Sequence, residues 1–308
     1  MKIKDKIYGE HEFPDFFKEI INCKEIQRLK KIHQNGADYL IDPNRNASRY
    51  EHSAGVMILA KILGGSIESQ LAGLIHDISH TVFSHTVDLV MSNSAKGYHE
   101  SIKNKYLEDS EIVNILKKLG FDFKKIINEE NFSIIETKSP DLCADRLDYF
   151  LRDMYNVKRL SLDEINMILD DLTFDKVIKC KSVKVGKLII RKYIELNEKV
   201  FFNVKFEQGN LILSKIIRNL LDDSIIKDED LLKTDDDVIT IIKNSKFKDA
   251  LNKINNKLEI TEDSSDRKII RKLRYVDPLI GNKRTSKLDI DSQNMISDYL
   301  SGNLVNAS

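Results

Sequence analysis

Five of the seven histidines fall in the 48 residues from His52 to His99, and none follows His99. They are His52, His76, His80, His85 and His99. Imidazole is the commonest metal ligand and the side chain that trades protons near neutral pH, so this clustering points to metal or proton chemistry. The sharpest local feature is the adjacent pair His76-Asp77, which closes the apolar stretch LAGLIHD. A helix there delivers an imidazole and a carboxylate from a buried segment. Leaving the carboxylate unpaired is costly, and a divalent cation relieves both groups at once. The pair alone leaves two readings open: a metal site, or a helix end with Asp77 in water. Arg49 stands one helical turn before His52, so a helix presents both to one pocket. Further along, Asp145, Tyr149 and Asp153 are spaced by four and share a helix face. Taken alone, Tyr149 and Asp153 read equally as surface hydrogen-bond partners of Arg146 or Arg152. His11 and His33 read as ordinary polar side chains.

The elements that must carry these residues are helical. Apolar residues recur at helical spacing from Phe13 to about Tyr155, as in Glu51–Leu63, Ser66–Ile78 and Asp141–Tyr155. Pro140 precedes the last of these, where a helix start tolerates it. Ser161–Asp171 continues the pattern. From Leu172 to Lys205 the stretches LTFDKVIKC, KVGKLIIRKY and KVFFNVKF are rich in β-branched and aromatic residues and predict antiparallel strands. Helical spacing returns at Asn210–Asp222 and Asp236–Lys243, Lys268–Val276 reads as a strand, and the tail beyond Gly281 reads as polar and mobile. The fold class expected is mainly α: a helical body over residues 1–171 and a smaller α+β region over residues 172–308.

Of 308 residues, 41% are hydrophobic and 32% charged, enough for a substantial core and a solvated surface. Lys plus Arg and Asp plus Glu both number 49, so no global positive field draws in nucleic acid or an anionic membrane. Cys23, Cys143 and Cys180 are scattered with no CxxC pair, which argues against a disulfide framework or a thiolate zinc site. The start, MKIKDKIYGE, lacks the apolar core of a signal peptide, and no stretch is long enough to span a bilayer. A cytoplasmic location is the expectation.

Arg49–Val56, RYEHSAGV, resembles the R-F/Y-E-H-S-x-G-V segment of the HD-domain phosphohydrolase superfamily. Leu71–His85, LAGLIHDISHTVFSH, resembles its A-G-L-x-H-D-x-G-H-x-P-F-S-H stretch, and Ala144–Asp153, ADRLDYFLRD, its D-K/R-x-D-Y-x-x-R-D helix. Upstream, Gln27-Arg28-Leu29 and His33-Gln34-Asn35-Gly36 resemble the lead-in of the deoxynucleoside triphosphate triphosphohydrolase branch. The likeness is close over residues 1 to about 160. It implies an HD-domain helical bundle with His52, His76, Asp77 and Asp145 as metal ligands. Such a nitrogen and oxygen set suits Mn, Fe, Zn, Co, Ni or Mg. It also implies that Arg49 and Arg146 hold phosphate, and that Gln34, Tyr149 and Asp153 meet the sugar. His80, His85 and His99 would line the pocket, stabilising phosphate charge and supplying the general acid. The implied reaction is hydrolysis of a dNTP to deoxynucleoside and triphosphate, in a protein that forms homo-oligomers; the alternatives are a monophosphate, cyclic dinucleotide or alarmone as substrate, or a non-catalytic nucleotide-sensing module, and the neutral charge argues against membrane or nucleic acid as a partner.

The chain departs from the pattern at Ser79, where glycine is usual, and at Val82, where proline is usual. A larger departure is FFNVKFEQGNLILSK, where the resemblance calls for a Tyr/His/Arg-rich helix start touching triphosphate and base. It has no histidine or arginine, leaving Lys205 and Lys215 as the cations on offer. Nothing in the chain matches a nucleotide-activator site.

Overall fold

The structure, a computed structural model, describes residues 1–91, 97–108, 110–255 and 273–305. It is mainly helical, and its described strands form one two-stranded and one four-stranded sheet. The body rests on α1 (Arg49–Ile62), α2 (Ile67–Ile75), α3 (His85–Met91), α4 (Tyr98–Leu107) and α5 (Ala144–Asn156). α1 begins at a capping box: Ser48 Oγ accepts the Glu51 N–H at 3.1 Å, and the Glu51 carboxylate accepts the Ser48 N–H at 2.8 Å. The box sets the first turn, and with it Arg49 and His52. Residues Val56 to Ala60 are buried all round, as in a helix enclosed by its neighbours. α2 can approach α1 because Gly73 has no side chain: a Cβ there would lie 3.0 Å from Val56 and 3.1 Å from the Met57 nitrogen.

Two apolar cores hold the chain together, and both draw side chains from either side of residue 172. In the first, Met57, Leu71, Leu147 and Phe150 pack with Leu172, Ile178, Ile189 and Tyr193. In the second, Val82, Phe83, Val87 and Val90 meet Leu213, Ile216, Ile217 and Leu220. Each such side chain contributes roughly 1.5–3 kcal/mol on burial, so the loop running from His76 to His85 is anchored at its C-terminal end by the second core.

Three expectations are corrected. The stretch LTFDKVIKC does form antiparallel strands, β1 (Leu172–Asp175) and β2 (Val177–Cys180). KVGKLIIRKY and KVFFNVKF do not: they belong to α6 (Val183–Leu196), a π-helical turn at Asn197–Phe201, and α7 (Val204–Asp222). In α6 the buried residues Val185, Ile189, Tyr193 and Leu196 recur every three or four positions, and burial along that stripe outweighs β-branched propensity. The tail beyond Gly281 carries a helix, α8 (Ile290–Val305), that buries Ile296 and Tyr299. Asp289 caps it, accepting the Ser292 N–H at 2.8 Å. Of the strand expected at 268–276, residues 268–272 lie outside the described residues, and 273–276 are not a strand. The sequence reading also lacked an N-terminal hairpin, Lys2–Asp5 paired with Gly9–Glu12. No helix among the described residues is long and apolar enough to cross a membrane.

Candidate metal centre and active site

The start of α1, the end of α2 and the first turn of α5 converge. His52 Nε2 lies 2.9 Å from Asp145 Oδ1, 3.3 Å from His76 Nε2 and 3.7 Å from Asp77 Oδ2. His76 Nε2 lies 3.4 Å from Asp77 Oδ1 and 3.6 Å from Asp145 Oδ1. Neighbouring ligands at about 2.1 Å from a single ion are roughly 3.0–3.4 Å apart, and the separations here, 2.9 to 3.7 Å, lie in or close to that range, so small side-chain shifts would seat a shared cation.

The hydrogen-bond partners make the same point. His76 Nδ1 donates to the Gly73 carbonyl at 2.8 Å, and His52 Nδ1 donates to Asp148 Oδ2 at 2.8 Å. Each ring is thereby left with an Nε2 lone pair facing the other ring and the carboxylates. Lone pairs converging without positive charge repel. In the metal-free chain a proton fills that need: burial opposes charge on His52, but hydrogen bonds to Asp145 and Asp148 outweigh it and push its pKa up to about 10. Burial also opposes charge on His76, and the neighbouring Asp77 and Asp145 outweigh it to raise its pKa. The donor set fits a divalent ion in place of the proton.

Asp77 is buried, yet its carboxyl is held well below the usual range: burial works to raise it, and the Arg49 and His76 charges, with the contact to His80, overcome that. Arg49 Nη1 donates to Asp77 Oδ2 at 2.6 Å, Nε to Ser84 Oγ at 2.9 Å and Nη2 to the Gln34 carbonyl at 3.3 Å. It faces the cavity while tied to Asp77. His80 Nε2 lies 3.3 Å from Asp77 Oδ1, and its ring stacks on His99 at 3.8 Å between centroids. Burial, helped by Arg49, drops the His80 pKa well below the ordinary range, so that imidazole is neutral. His85 has the open position of the group, its side chain 67% exposed, with Nδ1 2.9 Å from Asp88 Oδ2. Asp88 Oδ1 lies 3.5 Å from His99 Nδ1, linking the two rings.

These residues line a cavity of about 390 Å³, within the range of small-molecule sites. Gln34, Tyr149 and Asp153 are on its wall. Asp153 Oδ1 accepts from Asn35 Nδ2 at 3.0 Å, while Asp153 Oδ2 and Gln34 Oε1 are buried without a hydrogen-bond partner. The Tyr149 hydroxyl meets that of Tyr193. Arg146 is not brought to the cavity: its guanidinium donates to the Asp141 carbonyl at 2.7 Å and the Thr137 carbonyl at 3.2 Å, because the 137–143 loop folds over it. Lys205 and Lys215 do not line the cavity either; Arg274 does. His33 is taken up by Asp235 at 2.8 Å, and His11 meets the Tyr8 carbonyl at 2.9 Å.

Several residues of the site escaped sequence reasoning. Asp148 and Asp88 had a readable signal, each three positions beyond a candidate (Asp145 and His85) and so on its helix face. Glu100 follows His99 directly in the first turn of α4, whereas Glu129, Glu136, Phe201 and Arg274 reach the cavity from loops or distant turns that no local spacing marks. Burial and the nearby Asp145 push Glu136 up to about 7.

Residues 49–153 match the family model described as HD domain. A relative from Bacillus subtilis, the uncharacterized protein YdhJ, is 38% identical over 91% of this chain and 88% of its own length. The metal-dependent phosphohydrolase cns2 of Cordyceps militaris is 29% identical over 94% of this chain and 88% of its own. The deoxynucleoside triphosphate triphosphohydrolase SAMHD1 homolog of Dictyostelium discoideum is 25% identical over 94% of this chain and 62% of its own length. The family match runs from the arginine that opens α1 to the aspartate near the end of α5, enclosing the side chains that meet at the centre, and the chain belongs to the HD-domain phosphohydrolase superfamily, as a metal-dependent phosphohydrolase.

Proposed function

We propose that this chain hydrolyses a nucleotide phosphoester, most concretely a dNTP to deoxynucleoside and triphosphate, with His52, His76, Asp77 and Asp145 holding the divalent ion. The convergence of His52, His76 and Asp77, with Asp145 Oδ1 against both imidazoles, carries the reading. When bound, such an ion supplies Lewis-acid charge and a water acidic enough to act as nucleophile near neutral pH. Arg49, fixed against Asp77, offsets charge developing on the phosphorus oxygens. His85, oriented through Nδ1 by Asp88, presents Nε2 to protonate the leaving 5′ oxygen. The unpartnered acceptors Gln34 Oε1 and Asp153 Oδ2 suit the hydroxyl donors of a sugar, which supports a reading with the nucleoside beside Tyr149. The relatives named for phosphohydrolase and dNTP triphosphohydrolase activity support the same class.

One observation favours a second substrate within this class, a nucleoside monophosphate. Among the described residues, Asp77, Glu100, Glu129, Glu136, Asp145 and Asp153 line the cavity against only Arg49 and Arg274 as permanent cations. An acidic wall of this kind repels a free triphosphate more than a single phosphate. A panel of the four dNTPs and nucleoside monophosphates, with Mn or Mg, separates the two readings by product: inorganic triphosphate against inorganic phosphate. Absence of turnover on every member with metal bound would sink both.

A further inference from the structure

We propose that Asp148 and, acting through Arg152, Asp5 of the N-terminal hairpin are positioning residues for His52, holding its ring in the orientation and tautomer that a divalent ion requires. The inference rests on the metal-centre reading above. It follows a continuous run of contacts from the centre to the first strand of the chain. Asp148 Oδ2 accepts the His52 Nδ1–H at 2.8 Å and the Arg152 Nε–H at 3.0 Å, and its Oδ1 accepts Arg152 Nη2–H at 2.8 Å. Arg152 Nη2 also lies 3.0 Å from Asp5 Oδ2. The other Asp5 oxygen accepts the Ile7 N–H at 2.8 Å and the Tyr8 N–H at 3.2 Å, so the carboxylate that ends the run also builds the hairpin turn.

Asp148 and Arg152 are 0% exposed and Asp5 is 8% exposed. Desolvation makes a buried ion network a weak source of stability, and well-packed apolar residues of similar volume often serve as well or better. Its placement fits a different task. Asp148 can hold only one nitrogen of His52, and holding Nδ1–H leaves Nε2 as the lone pair aimed at Asp145, Asp77 and His76. Room for Asp148 against α1 exists because residue 55 is glycine: a Cβ there would sit 1.9 Å from Asp148 Oδ1 and 2.3 Å from Arg152 Nη2. Arg152 in turn neutralises Asp148 and sets the angle of its carboxylate, and Asp5 fixes Arg152 from the far side.

The test uses the full chain, Co(II) alone as probe, and the variants Asp148→Asn, Asp5→Asn and the double variant. Affinity is read by chelator competition, coordination by the visible absorption of Co(II), and folding by thermal unfolding of the metal-free protein. Loss of an outer hydrogen-bond partner typically weakens metal binding about 10–100-fold, which is the expectation for Asp148→Asn together with an altered Co(II) spectrum. Asp5→Asn should weaken binding by a smaller factor, and the double variant should be no worse than Asp148→Asn, because Asp5 acts through Asp148. Should Asp148→Asn fail to fold, Asp5→Asn decides alone. Lowered melting temperatures with unchanged Co(II) affinity and spectrum would overturn the proposal and leave the metal centre standing. A wild-type chain that binds no Co(II) would overturn the metal centre itself, and this inference with it.

Discussion

Replacing Asp77 by alanine removes one of the four converging ligands and, at the same stroke, the carboxylate partner of a buried arginine. Arg49 is 4% exposed, and its Nη1 contact to Asp77 is 2.6 Å. Removing one member of a buried ion pair typically costs 3–5 kcal/mol, since the remaining charge stays desolvated. Arg49 retains its bonds to Ser84 Oγ and the Gln34 carbonyl, which places the expected loss near the lower end, about 3 kcal/mol. For a chain of this length that corresponds to a melting temperature lower by about 5 °C in the metal-free protein. Metal content should fall to background, and phosphohydrolase activity with it. Measurement requires metal analysis of the purified variant, thermal unfolding with and without chelator, and turnover of nucleotide substrates. Because wild-type protein gains stability from any ion it binds, chelator should lower its melting temperature but leave that of Asp77→Ala unchanged. A variant that keeps stoichiometric metal and responds to chelator as the wild type does would refute the convergence argument, whatever its activity.

His85→Ala should keep its metal and lose turnover by about 10²–10⁴, as expected for a general acid; loss of metal in this variant would show that a ligand had been mistaken for the acid. The metal-free protein should become less stable as pH rises from about 7 towards 10. The folded His52 pKa of about 10 lies above its unfolded value, so its contribution is complete below the unfolded pKa and is lost as pH climbs through the folded one. Metal-loaded protein should lack that loss, and parallel denaturation curves for the two forms across this window would contradict the assignment. Gly55→Ala forces the Asp148–Arg152 pair to shift and should destabilise the chain by about 1–3 kcal/mol, measured by denaturant unfolding; a neutral effect would mean that α5 moves away from α1 freely.

Much of the centre was legible before any coordinates. His52, His76, Asp77 and Asp145 stand in segments whose helical periodicity is strong, and the polar residues interrupt apolar faces where burial makes unpaired charge expensive. The helix carrying Asp145, Tyr149 and Asp153 was readable for the same reason. The sequence by itself therefore determined the helical body and set His52, His76, Asp77 and Asp145 on or beside helical segments, because that rests on spacing within one element, while reading them as one ligand set rested on the likeness to the HD-domain motifs. Tertiary structure alone decided the rest. Arg146 has the right type and spacing for a phosphate ligand, yet loop carbonyls at 137 and 141 claim its donors. Arg274 and Phe201 reach the cavity from the C-terminal region, and Asp5 meets Arg152 from the first strand of the chain. The segment Val183–Leu196 is β-branched in composition and helical in fact, since the stripe it buries beneath α8 and beside α5 outweighs local preference. Contacts between residues far apart in the chain leave no periodic trace in it, and here those contacts set the charge of the cavity.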